Sequence, residues 1–282
     1  MNNVFWQKKL SAACGTGAIT KKILIFTMLV LFVLVSPSFA KDQKYKKSST
    51  GKFDSYVLAL SWQPAFCETK PDKKECKAQT PDRYDATNLA LHGLWPNKNT
   101  DINHTFGFCG VKKSIKKLDN ANKWCKMPSL NLTNETKKDL IQSMPGVASC
   151  LERHEWYKHG TCSGMGADKY FATANHLAAS FAGSSMGQYI SANVGSIVDA
   201  DDLFKEFEKD FGEGSRNSLK LHCAKTDGVN MLVEVRVYLA NPIPAGGGAM
   251  KDMLVSPPAH ETGNCPQTFF IDEAGLSGIL NE

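Results

Sequence analysis

Two imidazoles, a carboxylate and an ammonium crowd into one short run, His154-Glu155-Trp156-Tyr157-Lys158-His159-Gly160-Thr161-Cys162. On a helix, which turns by roughly 100° per residue, positions 154, 158, 155 and 159 fall at about 0°, 40°, 100° and 140°. Glu155 stands one turn before His159, and His154 one turn before Lys158, the separation at which helical side chains meet. Such an arc can move a proton, bind a phosphate and stabilise developing negative charge. A lone helical His is ordinarily a surface or core residue, and Lys near Glu is ordinarily a solvated pair. Four such groups on one arc, backed by Trp156 and Tyr157 facing a core, favour the chemical reading. Gly160 is expected to end the helix as a C′ glycine. Zinc fits poorly: zincins place their histidines at i and i+4, and these two are five apart with Lys158 between them. No metal or other cofactor is expected.

A second segment, Leu89-Ala90-Leu91-His92-Gly93-Leu94-Trp95-Pro96, reads as an apolar strand ending on His92, where Gly93 permits a close backbone approach. His-Gly-Leu-Trp-Pro, followed about sixty residues later by His-Glu-Trp-x-Lys-His-Gly-Thr-Cys, resembles the two active-site segments of the ribonuclease T2 family. The likeness runs from about Phe53 to the end, through Ser61-Trp62-Gln63-Pro64 and the cysteine spacing. It is strongest toward the bacterial periplasmic, ribonuclease I-like branch.

The resemblance implies an endoribonuclease that cuts single-stranded RNA without metal, by transphosphorylation through a 2′,3′-cyclic phosphate. DNA, lacking the 2′-hydroxyl, would not be cut. It implies His159 as general base and His92 as general acid. Lys158 would stabilise the pentavalent oxyanions, His154 would bind the phosphate, and Glu155 would polarise that phosphate or tune its neighbours. Residue types alone support these tasks without saying which His is the base; histidine titrates near pH 6.5, so two of them can hold opposite protonation states. Trp95 fits two roles, a platform on which a base stacks and a core aromatic. Leu151, Glu152 and Arg153 stand where family members often carry aromatics, and Asn97 where many carry Asp. His104, His176, His222 and His260 match no motif and are read as structural. The rival class is a secreted RNA-binding or host-interaction module on the same fold with little turnover; the complete set of five argues against it.

The rest of the chain must position these segments. Residues 1–22 carry four lysines and no acid, Ile23 to Val35 is apolar, and Ser38-Phe39-Ala40 follows. This is the pattern of a secretory signal cleaved near Ala40, for a periplasmic or extracellular product. The apolar run falls short of the roughly 20 residues that span a bilayer, so no stable membrane anchor is expected; an uncleaved, tethering leader is the alternative. Residues 41–52 read as a flexible lysine-rich tail, and 53–282 as one catalytic domain, expected to work as a monomer. The chain carries +5, of which the leader holds +4 and the tail +4, leaving −3 on residues 53–282. That balance excludes a basic wrapper of nucleic acid and confines RNA contact to a cleft.

Eight cysteines remain beyond the leader, an even number that reads as four disulfides in an exported chain, with 105 pairings open. The resemblance narrows these to Cys67–Cys76, Cys109–Cys162, Cys125–Cys150 and Cys223–Cys265. Asp54–Trp62 is apolar on both faces, as a central strand should be. Residues 112–126, rich in lysine, read as irregular. Thr133 or Asn134 can cap a helix running to Met144, and aromatic stripes at helical spacing cover Tyr170–Phe181 and Leu203–Phe211. Met231–Leu239 alternates as a half-buried antiparallel strand, with Ser218–Cys223 as its hairpin partner across Asp227-Gly228. Residues 241–266 form a long loop, and Thr268–Ile271 can return as a last strand. An α+β domain on an antiparallel sheet follows.

Overall fold

The computed structural model describes residues 53–244 and 246–275. The expected signal segment and lysine-rich tail lie outside the described residues. The sheet has six strands: β1 (Ser55–Ser61), β2 (Ala90–Asn97), β3 (Ser196–Asp199), β4 (Leu219–Thr226), β5 (Val229–Ala240) and β6 (Thr268–Ile271). They run in the order β2-β1-β5-β6-β3, with β4 on β5. Every pairing is antiparallel except that of β5 with β6. The β4–β5 hairpin turns on Asp227 and Gly228, both at positive φ (49° and 88°), as a two-residue turn of this hand requires.

The helices are α1 (Gln63–Thr69), α2 (Lys74–Lys77), α3 (Tyr84–Thr87), α4 (Lys113–Asn120), α5 (Asn134–Ser143), α6 (Leu151–Lys158), α7 (Ala167–Ala182), α8 (Ser185–Ala192) and α9 (Ala200–Phe211). Thr133 caps α5 by accepting the Thr136 amide, at the position its sequence suggests. The stripe on α7 is core: Tyr170, Phe171, Leu177 and Phe181 are all fully buried, each worth about 1.5–3 kcal/mol by area.

Period-two alternation divides the sheet into a packing face and a site face. Tyr56, Leu58 and Leu60 of β1 and Val235, Val237 and Leu239 of β5 join the core with the helices. Val57, Arg236 and Tyr238 turn the other way and line a cleft. β5 is therefore not the half-buried strand its alternation predicts. It carries β4 along Val229–Val237, β1 along Glu234–Ala240 and β6 at Met231, and its polar face is covered by the site. Residues 112–126 also depart from expectation. They form α4 and a 3₁₀ turn at Trp124–Lys126, and α4 buries Asp119. A lysine-rich helix with few apolar residues hides its inward face in sequence, because that face is a carboxylate bound to one partner.

All four disulfides join the expected cysteines. Cys109–Cys162 ties the segment after β2 to the turn after α6.

Candidate active site

The strand bearing His92 does not end there. β2 continues to Asn97, and its pairing with β1 slips at His92: Leu60 faces Leu91 while Ala59 faces Gly93. His92 is thus the extra residue of a β-bulge, a device that re-aims a side chain. Leu91 and Leu94, three apart, both enter the core, and His92 and Trp95, also three apart, both line the cleft. Strict alternation would put each pair on opposite faces. Tyr170 of α7 holds the re-aimed strand, donating its hydroxyl to the Leu94 carbonyl at 2.7 Å.

The floor beneath the cleft is made of small residues. Ala59 of β1 pairs with Gly93 on one side and Arg236 on the other. A Cβ on Gly93 would stand 2.0 Å from Glu155 Oε2 and 2.4 Å from Trp95 Nε1, so only glycine admits the α6 carboxylate here. Trp95 Nε1–H donates to that oxygen at 2.7 Å. The Trp95 ring lies between Arg236, 5.4 Å from its centroid, and His159, stacked at 5.3 Å.

Helix α6 delivers its residues as the helical wheel predicts. His154, Glu155, Lys158 and His159 all line one cleft of about 440 Å³, together with His92 and Trp95. Trp156 packs against the core and Tyr157 is buried. Gly160 acts otherwise than as a C′ glycine. It opens a 3₁₀ turn, and a Cβ there would meet Trp156 at 2.4 Å. The α6 end is held instead by the Phe108 amide, which donates to the Lys158 carbonyl at 2.7 Å.

Glu155 is fully buried. Its Oε1 has no hydrogen bond and lies 3.8 Å from Nε2 of both His92 and His154. His154 is oriented from behind by Asp119, whose Oδ1 accepts the Nδ1–H at 2.6 Å, and Trp124 stacks on its ring at 4.7 Å. His92 is oriented likewise: Glu234 Oε2 accepts its Nδ1–H at 2.7 Å, and Glu234 Oε1 accepts from Arg236 Nε at 2.6 Å.

The two candidate proton carriers are driven in opposite directions. Burial works against a charged His92, but the hydrogen bond and charge of Glu234, with Glu155 behind, outweigh it and raise its pKa. Burial, then the positive charges of Lys158, His154 and His92, hold His159 well below the ordinary histidine value. Glu234, despite burial, is lowered to about 2 by His92 and Arg236. Among the described residues Lys158 forms no ion pair, which leaves its ammonium for an anion in the cleft.

Four participants escaped the sequence reading: Asp119, Trp124, Glu234 and Arg236. Glu234 and Arg236 carried a signal, two charges at period two in an otherwise apolar strand. Asp119 and Trp124 carried none. His104, read as structural, stands in the cleft wall beside Phe106 and Glu261; nothing near it in sequence announces this. Donor atoms of His154, Glu155 and His159 lie within 4.8 Å of one another, close enough to approach a cation.

The profile of the ribonuclease T2 family matches residues 53–249. The chain belongs to the ribonuclease T2 family. It is an endoribonuclease of the T2 type. Ribonuclease I of Escherichia coli K12 is 34% identical over 254 residues, covering 80% of this chain and 88% of that one. A ribonuclease of Aeromonas hydrophila is 31% identical over 162 residues, covering 56% and 57%. In fold, the chain is similar to the crystal structure of the self-incompatibility-associated SF11-RNase of Nicotiana alata, at a TM-score of 0.50 and 20% identity. That match covers 77% of this chain and 96% of the other.

Proposed function

We propose that this T2 ribonuclease cleaves single-stranded RNA by metal-independent transphosphorylation, with His159 as base and His92 as acid. The reading rests on the opposite bias of the two imidazoles in one cleft, His92 beside Glu234 and His159 beside Lys158. Neutral His159 takes the proton of a 2′-hydroxyl, and the freed oxygen attacks the adjacent phosphorus. Charge building on the phosphorane oxygens is met by Lys158 and His154, a preorganised contribution that grows only toward the transition state. Protonated His92 then gives its proton to the departing 5′-oxygen, leaving a 2′,3′-cyclic phosphate. Buried Glu155 fixes Trp95 and lies 3.8 Å from the Nε2 atoms of both His92 and His154, and its charge favours the protonated form of His92. Trp95 lines the cleft within reach of a base, its ring packed by Arg236 and His159.

Four disulfides and the secretory pattern of the leader support work in an oxidising compartment outside the cytosol. No described helix is long and apolar enough to cross a membrane. Incubation with a dinucleoside monophosphate and its deoxy analogue tests the mechanism. Phosphorus NMR should show a 2′,3′-cyclic product from the first and none from the second. A first product ending in an open phosphate, or cleavage of the deoxy compound, would overturn it.

A further inference from the structure

Residues 112–126 carry six lysines and one acid, Asp119, which is buried against His154. This stretch is thus +5 inside a domain of −3, so the remainder sums to −8. The concentration is local and it adjoins the cleft. On α4, Lys113, Lys116 and Lys117 share one exposed face. The Lys116 ammonium lies 5.0 Å from the Phe108 ring, beside the Lys158 carbonyl that Phe108 caps. Beyond Trp124, the Lys73 ammonium sits 4.6 Å from the indole that stacks on His154. Among the described residues none of these lysines forms an ion pair, in contrast to Lys205 and Lys209, each paired with a carboxylate.

We propose that the lysines of α4 and of the turn after it, continued by Lys73, hold the phosphates of an RNA chain beyond the scissile one. This rests on the ribonuclease reading and assigns to it a substrate longer than the cleft itself, a polynucleotide rather than a dinucleotide. A row of like charges that no carboxylate pairs is drawn to a polyanion, which releases its condensed counterions on binding. Because the rest of the domain is negative, the chain is steered to this one side.

The test compares a dinucleoside monophosphate, whose only phosphate is the scissile one, with an RNA of about 20 nucleotides. The variant is K113Q/K116Q/K117Q; the control is K137Q/K138Q/K169Q, which removes three exposed lysines elsewhere. On the long RNA at low salt, kcat/KM of the variant should fall by roughly fivefold or more. Its slope against log salt should become shallower by about 2, at ~0.7 per single-strand phosphate contact. The dinucleotide rate should not change, and the control should behave as the parent. An unchanged slope in the variant, or an equal loss in the control, would overturn the proposal. Failure of the parent to cleave either RNA would instead overturn the ribonuclease mechanism.

Discussion

Glu234 grips His92 from behind, accepting its Nδ1–H at 2.7 Å while the Nε2 faces Glu155 at 3.8 Å. One imidazole is therefore flanked by two carboxylates, and His159 by cations. With the pKa of His92 raised and that of His159 lowered, the pH range in which His92 is protonated and His159 neutral is widened. Activity against pH should be a broad bell rather than the narrow peak of two ordinary histidines. Its acid limb should report His159 and its alkaline limb His92. Glu234→Gln removes the group that raises His92, so its alkaline limb should move to lower pH with the acid limb in place. A pH–rate profile of dinucleotide cleavage reads this directly; an unmoved alkaline limb would detach Glu234 from the acid.

The same carboxylate links stability to pH. Its folded pKa of about 2 lies below the ordinary Glu value, so its contribution is present above that ordinary value and lost as pH falls toward 2. Melting temperatures of the parent and Glu234→Gln should differ at neutral pH and converge as pH falls through that window.

Lys158→Ala should lower kcat by roughly 10²–10³-fold, the cost of losing one preorganised donor to transition-state charge, with KM nearly unchanged. Lys158 also helps depress His159, so the acid limb should move to higher pH in the variant. A change confined to KM would make it a ground-state binding group.

His92 and His159 are separable by leaving group. Replacing either should cost roughly 10²–10⁴-fold. A substrate whose leaving group needs no proton should restore a His92 variant and not a His159 variant; rescue of the His159 variant would reverse the assignment. Parent activity should survive a strong chelator. Abolition by chelation would mean that His154, Glu155 and His159 work through a cation.

Gly93→Ala should be among the most damaging single-methyl changes. Its Cβ collides with Glu155 Oε2 and Trp95 Nε1, breaking a bond at the centre of the site. Loss of activity with a cooperative melt retained would locate the damage there.

The grouping of His154, Glu155, Lys158 and His159 in one cleft was legible because α6 is one regular helix, whose wheel alone assembles them. The core stripes of α7 and α9 were legible for the same reason. What failed was non-local. The bulge at His92 changes which residues share a face, and a period-two reading cannot see a residue that breaks the period. Glu234 reaches His92 across the width of β1, and Asp119 reaches His154 from a segment whose lysines mask its helical character. His104 enters the cleft from a loop at positive φ (51°), where no periodicity operates.

The Cys109–Cys162 bond closes a loop of 53 residues, worth about 4 kcal/mol if its effect is entropic. It binds the chain emerging from the acid's strand to the chain emerging from the base's helix. A newly made chain, still reduced among ribosomes and messages, would hold its two catalytic halves without that tie. If the site needs that tie, oxidation is an arming step, and the reduced chain is the harmless form. A leaderless form kept in a reducing cytosol should be tolerated, and the same form in an oxidising mutant host should be toxic. Equal toxicity in both hosts would mean that the unclamped site is already competent.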